Sequence, residues 1–285
     1  MKKTISYVLF ENKWKNDPRY WMNIPYLLVA TSAIYEDFIM RFYIHKDSIL
    51  NNPVFDLLKE VSEKVNNVEI EILSDPIIGT KLTTVRVKPL WEDDVDLLLC
   101  RDTDYAINKL ERKSVEYFML QNEYIVHGIR SHHLHTLPYL AGLCGFKVKE
   151  VAKMIKPKTP SFDDFLMWGV NHLSECKDWV WGCDQALLRH FLYFVGLYPL
   201  TLDCPQYTAP LRLCDFSAKL IAPEVYSGIS IKNCNTEALD FSDSISPYTG
   251  LPFTCEISHS KTLCDIVKNE TSEIVKYFIL NKVLK

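Results

Sequence analysis

The sequence Leu97-Leu98-Leu99-Cys100-Arg101-Asp102-Thr103-Asp104 joins an apolar run to two carboxylates that are separated by one residue. The apolar run predicts a buried strand, placed at Val95–Cys100, that is covered on both faces. Residues two apart in a strand point to the same side, so Asp102 and Asp104 are expected to present their oxygens together at its carboxyl end. Ligands bind at that edge of open α/β sheets, and paired carboxylates suit Mg²⁺ or Mn²⁺. An isolated pair of this kind also fits a solvated turn.

The segments before this run alternate between strand and helix patterns. Asn52 and Pro53 have the residue types of an N-cap and first helical position, and they open the second of two helices. The order β-α-β-α-β predicts an α/β protein with a Rossmann-type, mainly parallel sheet flanked by helices over about the first 150 residues. The strands are predicted at Thr4–Phe10, Phe38–Ile44 and Val68–Ile72.

The second half of the chain begins after the break Lys156-Pro157-Lys158-Thr159-Pro160. Ser161 is expected to cap one helix, and a second helix is expected to begin at Asp184. Beyond Pro199 the composition predicts long loops with short strands, and Cys264–Lys285 predicts a terminal amphipathic helix. We interpret that helix as docked on the core, with a membrane-surface role as the alternative. We expect one domain, 1–285, made of a core at 1–155 and a second part at 156–285.

Composition excludes several classes of protein. The 285 residues are 48% hydrophobic and 24% charged with a net charge of −4, which is typical of a globular protein and gives no general basic surface for nucleic acid. Nine cysteines lack any Cys-x-x-Cys spacing, which indicates reduced thiols. The start has no signal-peptide pattern, and the longest apolar stretch is shorter than the roughly 20 residues of a membrane span. We therefore expect a soluble, cytoplasmic protein without a transmembrane segment.

Three further patches carry chemistry. Arg86 precedes the buried run and could reach nucleotide phosphates or a base edge, or could simply be a surface arginine. The segment His127–His135 holds four of the eight histidines together with Arg130, which fits anionic oxygens, although imidazoles are also zinc ligands. Trp179-Val180-Trp181-Gly182-Cys183-Asp184-Gln185 offers indole rings for a sugar. Asp184 there is expected to be ionised at a helix N-terminus, or to be only an N-cap.

Taken together, these motifs resemble the GT-A-fold glycosyltransferases of large DNA viruses and bacterial surface-glycan clusters, and are similar to the chlorella-virus rhamnosyltransferase domains. The resemblance covers about residues 80–190, with the motifs in the family's order. The matching residues are Arg86, Arg101-Asp102-Thr103-Asp104, Glu111, Val115, His127, Arg130, His132, His135, Pro138, Gly142, Gly145 and Asp184-Gln185-Ala186-Leu187-Leu188.

The resemblance implies a GT-A-like fold and a metal-dependent transfer of sugar from a nucleotide-diphosphate sugar, with a UDP-sugar favoured, to a glycan or glycolipid acceptor. It implies Mn²⁺ or Mg²⁺ at Asp102 and Asp104, with His259 as a possible third ligand. Asp184 would be the general base of an inverting mechanism. For a viral protein, the location would be the host cytoplasm. The residues implied in donor binding are Arg86, Asp102, Arg130, His132 and Gln185.

The chain also departs from the family. Tyr105, Leu110, Ser131 and Ala141 stand where the family has Ser, Arg, Asp and Gly, whereas both motif carboxylates and Asp184 are kept. The departures leave open a non-catalytic nucleotide-binding protein on a glycosyltransferase fold. A second alternative is a metal-dependent hydrolase that uses the His127–His135 cluster.

Overall fold

The computed structural model describes residues 1–10, 21, 24–74, 79–103, 107, 109–130, 137, 139–180, 182–203 and 219–220. These residues fall into two compact units, which we name by their strand directions. The parallel unit contains 4–74 and 102–112, and the mixed unit contains 1–3, 79–101 and the described residues from 113 onward. The predicted terminal helix at Cys264–Lys285 lies outside the described residues. The single-domain interpretation and its division at residue 155 stay predictions.

The parallel unit has the alternation that the sequence predicts. Strand β1 pairs in parallel with β2, and β2 pairs in parallel with β3, so that the order is β3-β2-β1 with helical connections. This is the arrangement of one half of a Rossmann-type sheet. The elements are β1 (Lys3–Leu9), α1 (Ile24–Ile34), β2 (Ile39–His45), a 3₁₀ turn (Lys46–Ser48), α2 (Pro53–Lys64) and β3 (Val68–Leu73).

The start of α2 confirms the predicted cap. The Oδ1 atom of Asn52 accepts hydrogen bonds from the backbone N–H groups of Val54 (3.1 Å) and Phe55 (3.3 Å). The Nδ2 atom of Asn52 donates to the Ser48 carbonyl at 3.0 Å. Pro53 is the first helical residue, where its missing N–H costs nothing.

Aromatic side chains fill the core of the parallel unit. Tyr7 stacks on Phe42 with ring centroids 4.9 Å apart. Tyr35 packs edge-on against Phe38 at 4.9 Å, and its hydroxyl donates to the Oε1 atom of Glu111 at 2.9 Å. Glu111 is buried, and this bond gives its carboxylate a partner that burial requires.

The mixed unit has a less regular order. Its strands follow the order β4-β6-β5-β7-β8, in which β6 runs antiparallel to β4 and β5, whereas β5 with β7 and β7 with β8 are parallel. The predicted α/β class, with a mainly parallel sheet flanked by helices, is confirmed. After a 3₁₀ segment (Gly79–Trp91), the elements are β4 (Leu97–Arg101), α3 (Lys109–Leu120), β5 (Val126–Arg130), β6 (Leu143–Lys147), α4 (Val148–Ile155), α5 (Phe162–His172), α6 (Ser174–Lys177), α7 (Cys183–Phe194), β7 (Leu200–Asp203) and β8 (Lys219–Leu220).

The first residue of β4 differs from the predicted one. The strand begins at Leu97, not at Val95, and the side chain of Asp96 before it makes polar contacts of its own. Its Oδ2 atom accepts from the backbone N–H of Lys2 at 2.6 Å, and its Oδ1 atom lies 2.5 Å from the Nζ atom of Lys149. The hydrogen bond from Lys149, followed by that from Lys2, lowers the pKa of Asp96 below its usual value.

Helix α5 and its neighbours enclose an aromatic core. Ser161 caps α5 as predicted, and its hydroxyl oxygen accepts from the backbone N–H of Asp164 at 3.2 Å. Phe165 of α5 contacts Trp91 and Phe191, with ring centroids 5.1 Å and 5.0 Å apart. Trp91 also donates from Nε1 to the carbonyl of Thr159 at 2.7 Å, which ties the 3₁₀ segment to the chain just before α5.

Two further expectations concern thiols and membranes. Within the described residues, the cysteines at positions 100, 144, 176 and 183 are all buried and form no disulfide bond. Burial, followed by the neighbouring Cys183 thiol, raises the pKa of Cys176 to about 12, so its thiol stays protonated near neutral pH. No helix in the described part of the chain is long and apolar enough to cross a membrane.

Candidate active site

Arg86 lies in the 3₁₀ segment (Gly79–Trp91). The Oγ1 atom of Thr84 donates to the Lys81 carbonyl at 2.5 Å, and the Nε atom of Arg86 donates to the Thr83 carbonyl at 2.8 Å. These side-chain bonds to backbone oxygens hold both side chains against the segment. Arg86 is buried, with 5% exposure, which contradicts the surface alternative.

Asp184 lies in the first turn of α7, but it is not the N-cap. The helix begins at Cys183, one residue earlier than predicted, and Gly182 is the N-cap, with a φ of 81° and no side-chain cap bond. Glycine tolerates this left-handed conformation, which other residues adopt only at a cost. Capping therefore does not account for Asp184. As an acidic residue in the first turn, it still interacts favourably with the helix dipole.

The structure brings Arg86 and Asp184 together within the mixed unit. The Nη2 atom of Arg86 lies 3.8 Å from the Oδ2 atom of Asp184, with 6% and 12% of the two side chains exposed. This distance describes an ion pair and not a hydrogen bond. Because both groups are shielded from water, salt screens their attraction less than it screens a surface pair.

A second contact joins the 3₁₀ segment to the residues before α7. The Nζ atom of Lys81 lies 5.3 Å from the ring centre of Trp179, within the range of a cation–π interaction. Trp179 has a φ of 47°, an unusual conformation for a bulky residue, and strained residues of this kind concentrate at functional sites. Val180, next to it, is 48% exposed. A positive charge and exposed apolar surface therefore lie at the residues that precede α7 and the segment that they contact.

Asp102 belongs to the parallel unit. It follows β4 directly but is not part of the strand, which ends at Arg101. Thr103 is in a turn and is buried. Because strand alternation ends at Arg101, it no longer supports the predicted common direction of Asp102 and Asp104. The side chain of Asp102 is half-buried, and Asp104 lies outside the described residues.

Of the histidines in the cluster His127–His135, the structure describes His127. His127 of β5 is fully buried and stacks on Phe118, with ring centroids 5.0 Å apart. Neither ring nitrogen has a hydrogen-bond partner. Burial, followed by the positive charge of Arg101, holds the pKa of His127 well below its usual value. Such a neutral core imidazole is not placed as an accessible zinc ligand.

The remaining predicted site residues are described only in part. Gln185 follows Asp184 in α7 and is half-buried, whereas Arg130 ends β5, with its backbone placed and its side chain undescribed. His132 and His259 lie outside the described residues. No group of three or more histidine, cysteine or acidic side chains suited to a metal is found in the part of the chain that the structure describes.

Two residues of β4 have roles that the sequence analysis did not anticipate. Arg101 is fully buried, and its Nη1 atom donates to the carbonyls of Cys100 (2.7 Å) and Cys144 (2.9 Å). The Sγ atom of Cys100 donates to the Arg86 carbonyl at 3.6 Å. For Arg101, the sequence does carry a signal, because a charged residue at the end of an apolar run indicates a buried charge. Nothing in the sequence indicates the Cys100 contact, because it depends on pairing with a distant segment.

Comparison with known proteins assigns no family. No known protein-family model and no curated protein matches the chain. Among solved structures, 4-diphosphocytidyl-2C-methyl-D-erythritol synthase from Anaerococcus prevotii has a TM-score of 0.41 at 14% identity, over 84% of this chain and 99% of that one. A protein described as a nucleotide-diphospho-sugar transferase, from Desulfovibrio desulfuricans G20, has a TM-score of 0.44 at 9% identity, and the match covers 98% of this chain and 99% of that one. Residues 1–349 of S. aureus TarS have a TM-score of 0.37 at 14% identity, and the match covers 59% of this chain and 54% of that one.

At these identities and TM-scores, the similarities establish neither a family nor an activity. What the structure itself defines is an α/β protein with a Rossmann-type parallel half. Its mixed unit holds a shielded carboxylate, Asp184, in the first turn of a helix and in an ion pair with Arg86.

Proposed function

We propose that the chain is a metal-dependent glycosyltransferase that moves a sugar from a nucleotide-diphosphate sugar to a glycan or glycolipid acceptor. The observation that carries the proposal is the placement of Asp184. It is an acidic residue with 12% of its side chain exposed, it is paired with an arginine, and its place after the N-cap removes the structural explanation that the sequence allowed. Partly buried carboxylates that lie beside a charged group are candidates for acid–base work.

Asp184 is assigned the role of general base. It takes the proton of the acceptor hydroxyl while that oxygen bonds to the anomeric carbon of the donor sugar. The bond between the anomeric carbon and the diphosphate oxygen breaks, and the diphosphate leaves with the bonding electrons. Attack on the side opposite to the leaving group inverts the anomeric configuration.

The proposed donor-binding residues are taken one at a time, each on its own evidence. Asp102 offers half-buried carboxylate oxygens at the end of β4, which is the donor type that Mg²⁺ and Mn²⁺ prefer. With Asp104 and His259, it would hold the ion, which when bound supplies positive charge to the departing diphosphate. Gln185, Arg130 and His132 are proposed donor contacts. A UDP-sugar is the proposed donor, and no nucleic acid is expected as a partner.

The experiment measures binding of UDP by calorimetry, with and without MnCl₂, to the wild type and to Asp104→Ala. The wild type is expected to bind UDP more tightly with Mn²⁺. In Asp104→Ala, the increase in UDP affinity that Mn²⁺ gives is expected to be at least about tenfold smaller, which is the usual scale for disturbing a metal site. Asp93→Ala removes an exposed carboxylate of the mixed unit and serves as the control.

The alternatives give other results. UDP binding that is equal with and without Mn²⁺, together with no release of nucleoside diphosphate from any sugar donor, would indicate a non-catalytic nucleotide-binding protein. Bound zinc without any UDP binding would indicate a hydrolase. The donor panel is UDP-glucose, UDP-galactose, UDP-N-acetylglucosamine, GDP-mannose and dTDP-rhamnose, each tested by thermal shift and by diphosphate release.

A further inference from the structure

Hydrogen bonds restrain both the side chain and the backbone of Arg86. Its Nε atom donates to the Thr83 carbonyl at 2.8 Å, and its own carbonyl accepts from the Sγ atom of Cys100 at 3.6 Å. The residue is 5% exposed. A guanidinium held in this way has lost most of its conformational freedom before any ligand arrives, so it can hold a neighbour in place at little further cost in entropy.

The neighbour that it faces is the proposed base. The Nη2 atom of Arg86 is 3.8 Å from the Oδ2 atom of Asp184, and Cys176 and Cys183 lie nearby as buried thiols. Gly182, at the N-cap, has no side chain with which to hold the first turn of α7. The ion pair is therefore a contact that orients the carboxylate of Asp184 relative to the 3₁₀ segment.

We infer that Arg86 is a positioning residue for Asp184 and not a ligand of the donor phosphates. The inference rests on the proposed function. A phosphate bound by Arg86 would have to compete with a carboxylate that already lies beside the guanidinium, in a place where few water molecules could mediate the exchange. As a positioning residue, Arg86 affects the rate of transfer by fixing the proton acceptor, and it leaves donor affinity nearly unchanged.

The test separates the rate from donor binding. The variants are Arg86→Gln, Arg86→Lys, Asp184→Asn and the double variant Arg86→Gln/Asp184→Asn. The control, Arg189→Gln, removes an arginine from the same helix α7. UDP binding with MnCl₂ is measured by calorimetry, and kcat is measured as release of nucleoside diphosphate from the donor of the panel that gives the largest thermal shift.

Arg86→Gln is expected to lower kcat about 10- to 100-fold and to change the Kd for UDP by less than about twofold, because a misplaced catalytic group costs rate more than binding. Arg86→Lys keeps the charge and should restore part of the rate. The double variant should be no slower than Asp184→Asn alone, since Arg86 then has no base left to position. Arg189→Gln should match the wild type.

Other outcomes overturn the inference. An Arg86→Gln variant that loses UDP affinity tenfold while kcat is retained would make Arg86 a phosphate ligand, with the glycosyltransferase function intact. A double variant in which the two losses multiply would show that the residues act separately. If the Arg86→Gln variant does not fold, kcat and the Kd for UDP are measured for Arg86→Lys, and these two values decide between the outcomes. A wild type that releases no diphosphate from any donor would refute the proposed function itself, and the inference with it.

Discussion

The parallel unit and the mixed unit differ in how their strands are connected and paired. In the parallel unit, β1, β2 and β3 follow one another with a helix between each pair, and each strand lies beside its neighbour in sequence. In the mixed unit, β4 pairs with β6, which comes after α3 and β5 in the chain. Short-range patterns therefore describe the first unit well. The second depends on contacts between segments that are far apart in sequence.

The two units also differ in what they hold in their interior. In the parallel unit, Asn52 bonds within its own helix cap and the Tyr35 hydroxyl donates to Glu111, whereas the hydroxyl of Ser6 is buried without a hydrogen-bond partner. The mixed unit buries Arg101 and His127 completely and shields the Arg86–Asp184 pair. Burying charge is costly unless it is paired, and such groups are commonly kept for a functional reason. The comparison therefore favours the mixed unit as the one that holds the base, whereas the proposed metal ligand Asp102 belongs to the parallel unit.

The largest of the expected effects on stability is at Gly145, where a side chain would have little room. A Cβ atom at this position would lie 2.8 Å from the Cδ2 atom of Leu99 and 3.4 Å from the Nδ1 atom of His127. Gly145→Ala should therefore force β4, β5 and β6 apart locally and lower the free energy of unfolding by about 1–3 kcal/mol. Urea denaturation at pH 8 measures the change.

The matched variant lies in the parallel unit. Ser6→Ala, also at a buried position of a strand, keeps the Cβ atom and removes a hydroxyl that has no hydrogen-bond partner. Its free energy of unfolding should stay within about 0.5 kcal/mol of the wild type, because no hydrogen bond is lost. Equal losses at Gly145 and Ser6 would remove the distinction in packing between the two units.

A smaller effect, dependent on pH, is expected at His127. Its folded-state pKa lies well below the value of about 6.5 in an unfolded chain. As the pH falls below about 6.5, the unfolded chain binds a proton that the folded chain does not, so stability decreases with falling pH by at most about 1.4 kcal/mol per unit. His127→Phe should remove this contribution and give a flatter dependence between pH 7 and pH 5.

The comparison is between slopes and not between absolute stabilities, since the phenylalanine ring can itself alter packing against Phe118. Urea denaturation at pH 8, 7, 6 and 5 gives both curves, and the other histidines contribute equally to each. Curves that run parallel would mean that His127 is protonated to the same extent in the folded and unfolded chains. The comparison between the two interiors would then lose one of its supports.

Prediction from the sequence succeeded where neighbouring residues determine the outcome. Asn52 and Ser161 were predicted as N-caps from residue type alone, and both make the expected bonds. Strands β5 and β6 were not predicted, because β5 lies in a segment rich in histidine and glycine, and β6 is defined by its pairing with β4 and β5. The start of α7 was misplaced by one residue because a glycine N-cap gives no side-chain signal.

The candidate site was predictable to a similar extent. Asp184 was identified from its motif, and the structure places it in the first turn of a helix. For its partner Arg86, the sequence allowed contact with nucleotide phosphates or a base edge, or a surface position, because a sequence cannot show that a 3₁₀ segment carries the residue to α7. The relation of Asp102 to Asp104 rested on strand alternation, which ends at Arg101. The metal site therefore remains a prediction from the resemblance.

The central claim is that Asp184 is the base of a sugar transfer, and one variant tests it most directly. Asp184→Asn keeps the size of the side chain and removes the charge that accepts a proton. The measurement is UDP affinity with MnCl₂ together with the rate of nucleoside diphosphate release from the best donor of the panel. We predict unchanged affinity and a rate lowered by about 10²–10⁴, the usual contribution of a positioned general base. An Asp184→Asn variant that binds donor and releases diphosphate at the wild-type rate would contradict the account.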